Sequence, residues 1–380
     1  MAWNVAGFRI AAALLCTIAT SVATAQDSAT DTREGIAPDI REDDTRFKVQ
    51  RGDFVAVPIP ISNPTLDTGL VAGAAYFYAQ TEEQAAAQPA SLTAAAAMYT
   101  SNDSRAFAVV QQNYWREDRW RFTGAIGGAD LRLSLLTPDP QSGGISADWR
   151  IDGSFLLARL SRRLAGDWYG GLLARIIDAD QSIETGSQLT EPEPGNFDTE
   201  SSVRSSGLGV TFEFDTRDMP TNPYSGRYLT AQALFNDENL GSNRTYQSYS
   251  ANYRAYHDIG ESLVIAWEIQ GCKRGGTSPL WDACRVDLRG FAATDFLGKG
   301  SASGQVEARW RLSRRWGLVG FGGAGYIDDS FSGLKDHEPV PSYGAGVRFM
   351  VLPAKRINMR LDFAWSEDDE AIHFSVGESF

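Results

Sequence analysis

Two thiols and a dense run of charge mark the stretch where this chain could do chemistry: Cys272-Lys-Arg-Gly-Gly-Thr-Ser-Pro-Leu-Trp-Asp-Ala-Cys284, followed at once by Arg285-Val-Asp-Leu-Arg-Gly-Phe291. A cysteine pair can oxidise to a disulfide or, given further ligands, hold a metal. Those ligands are missing, because His257, His337 and His373 are scattered and no second cysteine pair exists. No metal and no cofactor is therefore expected. Acid–base chemistry finds little more to work with. His257 and His373 fall on candidate strands, and His373 is two residues from Ser375 in one strand, a spacing that alone makes no base and nucleophile pair. The chain is read as a non-enzyme with no catalytic residue, and a hydrolase that uses one of these histidines as base is the remote alternative.

The remaining sequence decides what positions this loop. Arg9, an apolar run from Ile10 to Ala19, and the small residues Val22-Ala23-Thr24-Ala25 follow the order of a secretory signal over residues 1–25, cleaved before Gln26. The apolar run is too short to span a bilayer comfortably. Cys16 leaves with the signal, so Cys272 and Cys284 are the only cysteines of an exported chain and a disulfide is expected. Residues 26–54 interleave Asp27, Asp31, Glu34, Asp39, Glu42, Asp43 and Asp44 with Arg33, Arg41, Arg46, Lys48 and Arg51. With few apolar side chains they cannot build a core, and a flexible periplasmic segment is expected. A net charge of −13 argues against a nucleic-acid partner.

From Val55 onward the chain alternates with period two between clusters of Gly, Asn, Asp, Pro and Ser. Leu208, Val210, Phe212 and Phe214 alternate with Gly209, Thr211, Glu213 and Asp215; Val306, Ala308, Trp310 and Leu312 alternate with Gln305, Glu307, Arg309 and Arg311. Residues 263–270 and 357–365 behave alike. One face is apolar and aromatic, and the other carries ions.

A soluble sandwich packs its apolar face inward, whereas a membrane barrel turns it toward lipid around a polar lumen. Alternation alone does not choose between them. The export signal favours the membrane, as do aromatics near strand ends (Trp115, Trp120, Trp149, Trp168, Trp316, Trp365). So does the C-terminus, where Ile372, Phe374, Val376 and Phe380 share one parity and resemble the closing strand and assembly signal of bacterial outer-membrane barrels. Glu378 falls on the same lipid parity, which requires a place near the membrane rim. Candidate strands number sixteen: 55–62, 69–80, 92–101, 104–116, 119–131, 148–161, 166–178, 203–215, 226–236, 245–257, 262–272, 302–313, 315–326, 342–352, 355–366 and 371–380. The fold class is all-β, a transmembrane antiparallel β-barrel over residues 55–380. Fourteen strands is the alternative, since the Ala-rich stretch 84–97 could begin a helix.

The Arg289-Gly290-Phe291 loop lies between candidate strands eleven and twelve, and in a sixteen-stranded barrel that placement resembles the BamA/TamA-like superfamily, also called the bacterial surface antigen family, with its two-partner-secretion relatives. The resemblance implies a long loop folded into the lumen, its arginine paired with acids on the next two strands. Arg289 would be that arginine, with Glu307 as first partner. The second is replaced, because Phe321-Gly-Gly-Ala-Gly325 has Gly323 at the aspartate position. Gly323 and Gly325 leave room for a loop but supply no charge, so Glu307 would have to suffice, with Asp362 as an additional candidate partner. Phe214-Asp-Thr-Arg-Asp218 with Pro223 and Gly226 resembles the family's turn between strands eight and nine, which singles out Asp215, Arg217, Asp218, Pro223 and Gly226. Typical family members carry periplasmic POTRA domains before the barrel, and residues 26–54 are too short for one.

The resemblance implies a protein of the bacterial outer membrane that assists membrane assembly or protein or lipid transport, without POTRA domains of its own. Its expected partners are outer-membrane lipids, the barrel-assembly machinery during biogenesis, and a periplasmic protein that could supply the missing domains. The alternative is a passive pore or structural outer-membrane barrel, and the remote alternative is an outer-membrane lipid hydrolase. Arg309, Arg311, Arg348 and Arg360 against Glu213, Asp215, Glu268 and Asp362 make a mixed-charge lumen that could conduct or close on its own ion pairs.

Overall fold

A computed structural model describes residues 52–137, 145–185, 199–260, 262–353, 356–366 and 370–380. The signal segment, Cys16 and nearly all of the 26–54 segment lie outside the described residues.

Sixteen antiparallel strands close into a barrel. They are β1 (Asp53–Asn63), β2 (Asp67–Phe77), β3 (Leu92–Thr100), β4 (Arg105–Trp115), β5 (Trp120–Thr137), β6 (Ile145–Ala165), β7 (Trp168–Thr185), β8 (Thr199–Asp215), β9 (Gly226–Asn236), β10 (Tyr246–Ile259), β11 (Leu263–Gly276), β14 (Gly300–Arg311), β15 (Trp316–Asp328), β16 (Val340–Leu352), β17 (Ile357–Trp365) and β18 (Glu370–Val376). The two intervening strands, β12 (Cys284–Arg285) and β13 (Leu297–Gly298), pair with each other inside the long connection. The Ala-rich stretch divides rather than becoming one helix. Thr81 and Gln84 form a capping box on the short helix α1 (Glu82–Ala87), and Leu92 then begins a strand. Among the described residues no helix is long and apolar enough to cross a membrane, which says nothing of strands.

The alternation resolves into two faces. Leu208, Phe212, Ile269, Val306 and Trp310 are exposed outward, while Glu213, Glu268, Glu307 and Asp362 are buried within. An apolar exterior over a charged interior is the pattern of a barrel in lipid. Both chain ends of the barrel lie on one side with mostly short connections, the 78–91 segment that carries α1 excepted, and the long connections 277–299 and 329–339 lie on the other. Short turns mark the periplasmic side. There Trp115, Trp168, Trp310 and Trp316 form an exposed girdle, matched across the wall by Tyr99, Tyr343 and Trp365. Trp149 does not join either girdle: it is 1% exposed, packed inward with Leu131, Ile151, Ile177 and Trp281. Strands β5 to β8 run longer than the alternation predicts, and Leu131, Leu133, Ile151, Ile177 and Val203 on them share one buried cluster with Trp281 of the connection after β11.

Closure is thinnest where the chain ends. β18 forms a seven-residue ladder with β17 but meets β1 through the single register pair Ser62↔Phe374. The strand then stops, which corrects the parity expected for Glu378 and Phe380. Gly377 adopts φ +98° and turns the backbone inward. Glu378 therefore reaches Arg348 Nε at 2.8 Å inside the barrel, and the Phe380 ring packs against Tyr256, Val264 and Ala266. Of the expected C-terminal signal residues, Phe374 and Val376 stay on the strand and Phe380 does not.

Candidate functional site in the lumen

The connection from β11 to β14 enters the lumen and is held at three levels. At its base Cys272 and Cys284 form a disulfide with Cα atoms 5.6 Å apart. Just before Cys284, a single turn of 3-10 helix (Leu280–Asp282) buries both Trp281 and Asp282. The Asp282 carboxylate meets Arg175 at 2.6 Å and Arg274 at 3.1 Å and accepts hydrogen bonds from Tyr246 and Ser248. Sequence reasoning did not single out Asp282. An acid inside a loop has no parity to read, although Arg175 and Arg274 lie on periodic strands and their charge calls for a partner.

The third level is the Arg-Gly-Phe tip. Arg289 Nη2 lies 2.6 Å from Glu307 Oε2 on β14, and Nη1 lies 3.1 Å from Asp362 Oδ2 on β17. Its guanidinium carbon sits 3.4 Å above the centre of the Phe321 ring, a cation–π contact from β15. The Ser342 hydroxyl donates to the Arg289 carbonyl. Gly290, at φ +102°, donates its N–H to His373 Nε2 at 3.4 Å, and its carbonyl accepts from Ser366. Phe291 turns edge-on to Phe296 beside Val286, Leu288, Ile327 and Val340. The tip is thus pinned to β14 through β18, the wall next to the thin seam.

Each acid here serves several cations. Glu307 also meets Arg309 at 2.6 Å, and Asp362 meets Arg348 at 2.5 Å and Arg360 at 3.8 Å. Asp362, not a strand-thirteen aspartate, is the second partner of Arg289. Strand thirteen is β15, where a Cβ on Gly323 would lie 2.5 Å from the Gly304 carbonyl, leaving no room for any side chain. Gly325 instead faces Val286 of the loop.

The other lumen charges also close on one another. Glu213 takes Arg121 and Arg159, and Glu268 takes Arg254. The turn residues form their own unit: Arg217 grips Asp215 at 2.7 Å and stacks 3.9 Å over Tyr228, while Asp218 accepts from the Tyr224 and Ser225 N–H groups. Pro223 is buried, and Gly226, at φ +102°, passes so close to the Thr216 carbonyl that a Cβ would stand 2.2 Å away. His257 is exposed, in keeping with a rim position. His373 faces the loop backbone, and Ser375 accepts from Arg360 Nε at 2.5 Å, so the two do not address each other.

A family model described as the Omp85 superfamily domain matches residues 95–380. No curated protein matches. Among solved structures the fold is similar to BamA from Haemophilus ducreyi lacking POTRA domains 1–3, with 12% identity, a TM-score of 0.57, and coverage of 87% of this chain and 70% of that one. It is similar also to CdiB from Acinetobacter baumannii (10% identity, TM-score 0.54, 86% of this chain and 60% of that one). CdiB from Escherichia coli gives 9% identity, a TM-score of 0.53, and coverage of 84% and 62%. The chain spans less than two thirds of either CdiB chain. At these identities the likeness concerns fold, and function has to be argued from the site.

Proposed function

Because this chain belongs to the Omp85 superfamily, we propose that it works in the bacterial outer membrane, assisting the assembly or transport of protein or lipid rather than catalysing a reaction. The observation that carries this reading is the placement of the loop tip. Arg289 bridges Glu307 and Asp362, and Gly290 touches His373 of β18, the strand that closes the barrel. The neighbouring seam has one register pair, whereas the wall from β14 to β17 is fully laddered. Opening the seam would cost few backbone hydrogen bonds, and the pinned loop would keep the adjacent wall in shape while it opened.

Export through a signal cleaved after Ala25 belongs to the same proposal, as does a periplasmic partner that delivers the client. Amino-terminal sequencing of the mature protein should begin at Gln26, and crosslinking in outer membranes should recover the partner. The decisive experiment is Arg289→Ala, read by heat-modifiable gel mobility and by the amount of client incorporated in the outer membrane. Both should fall. If neither changed, the loop would have no role in assembly.

A passive pore has weaker support, since the loop and the paired lumen charges occupy the interior. Small flickering currents are expected in a planar bilayer, and large steady ones would favour the pore.

A further inference from the structure

The seam between β1 and β18 is short for a reason written in β1. Pro58 and Pro60 lie within that strand, which is in register with β2 from Asp53 to Asn63. A proline has no N–H to give a ladder, so in a paired strand its nitrogen belongs on the edge away from the partner. Which edge that is follows from β2. The Thr68 carbonyl accepts from Ser101 N on the β3 side, so Ser62, which stands opposite Thr68, turns its own N–H and C=O away from β2. Period two carries Pro60 and Pro58 to the same edge, the one that faces β18.

The register of the seam then fixes what the prolines meet. Ser62 is opposite Phe374, so an antiparallel continuation toward the periplasm sets Pro60 opposite Val376 and Pro58 opposite Glu378. Phe374 meets a residue with an N–H, whereas Val376 and Glu378 would each meet a proline. The ladder ends at this point. β18 stays on β17 through the hydrogen bond from Gly377 N to the Asn358 carbonyl at 2.8 Å and then turns inward. Glu378 bonds Arg348 and Asn358 in the lumen instead of β1.

The extracellular end of the seam is built the other way. There the lumen loop straddles it: Gly290 N donates to His373 Nε2 of β18 at 3.4 Å, and Ala293 N donates to Thr65 Oγ1 in the β1–β2 turn at 2.8 Å. Leu66, next to Thr65, is fully buried in one cluster with Trp281 of the same loop. One end is clasped and the other is denied its backbone pairs. We propose that Pro58 and Pro60 hold the periplasmic half of the seam apart and divert the last residues into the lumen, so that the wall opens from the periplasm and hinges at Ser62 and Phe374 beneath the loop. Prolines on an edge strand also blunt it against pairing with a foreign strand. The use made of such an opening rests on the assembly or transport reading above, whereas the asymmetry of the seam does not.

Amide hydrogen exchange of the full chain refolded in micelles, resolved residue by residue by NMR, tests the proposal. The N–H groups of Phe374 and Val376 both face β1, and Val376 should exchange roughly tenfold faster than Phe374, the order of one missing hydrogen bond. Pro60→Thr restores the donor and should slow Val376 by a similar factor, while Pro64→Ala, in the turn and off the edge, should leave it unchanged. Thr65→Val removes the acceptor for Ala293 and should speed Phe374 alone. Val376 as protected as Phe374 in the wild type would overturn the proposal, and that comparison needs no variant to fold. Unchanged Val376 exchange in Pro60→Thr would overturn the role of the prolines, and equal acceleration of both amides in Thr65→Val would overturn the hinge. Client incorporation is not read in this experiment, so a failure of the assembly reading would leave its outcome untouched.

Discussion

Val286 of the lumen loop occupies the space that a side chain on Gly325 of β15 would fill: a Cβ built there would stand 2.4 Å from Val286 Cγ1. The loop and the wall are therefore fitted to each other and not merely adjacent. Gly325→Ala should displace the loop and cost about 1–3 kcal/mol, the usual penalty for overpacking. Adding Val286→Ala should recover most of it. Gly320→Ala on the same strand, where nothing lies within 4 Å of the added methyl, is the control and should be neutral. Urea unfolding of the refolded barrel in vesicles measures all three, and equal effects at both glycines would refute the fit.

Neutralising the shared acid should be worse than removing the loop arginine. Asp362 is approached by the buried Arg289 and Arg348 and the half-buried Arg360, so Asp362→Asn leaves three cations without it, whereas Arg289→Gln leaves Glu307 with Arg309 and Asp362 with Arg348. A broken buried pair typically costs about 3–5 kcal/mol because the orphaned charge remains. Asp362→Asn should reach that range and Arg289→Gln fall below it. The reverse order in the same unfolding assay would mean that Arg289, and not Asp362, organises the network.

The disulfide and Asp282 restrain the loop in parallel. The bridge spans a sequence separation of 12, a length for which closing the unfolded chain is worth about 3 kcal/mol. Reduction should lower stability by roughly that amount or less. It should not release the loop, because Asp282 still holds Arg175 and Arg274. Trypsin should therefore cleave after Arg285, whose side chain is 12% exposed in the folded loop, only when reduction is combined with Asp282→Asn. Rapid cleavage on reduction alone would show that Asp282 is not a second anchor.

Sixteen strands were legible because period two is a local signal, and a strand facing lipid on one side and ions on the other writes it strongly. The Arg289–Glu307 pair was legible for the same reason, once parity placed Glu307 inward. Asp362 was readable only as an additional candidate beside Glu307, since nothing local links β17 to a loop 73 positions earlier. Asp282 and Trp281 escaped because loop residues have no period, and Trp149 was placed in a girdle because its burial depends on that same loop. The inward turn at Gly377 left a trace in the sequence. A carboxylate at position 378 on the lipid parity is physically uncomfortable, and a glycine directly before it offers the chain a way out.

The inward turn at Gly377 decides what truncating Phe380 removes. With the strand continued, Phe380 would lie on the outside and its truncation would change little beyond lipid contact. Folded inward, the ring is 6% exposed beside Tyr256, and its backbone oxygen accepts from Arg309 Nη2 at 2.9 Å. Phe380→Ala should then cost about 3 kcal/mol through the cavity it leaves, and Gly377→Ala should cost more than an ordinary strand substitution because φ +98° disfavours a side chain. Refolding into vesicles without assembly factors separates this from any effect on biogenesis. A Phe380→Ala barrel as stable as wild type there, but poorly assembled in cells, would place the ring outside the lumen and return it to the role of an assembly signal.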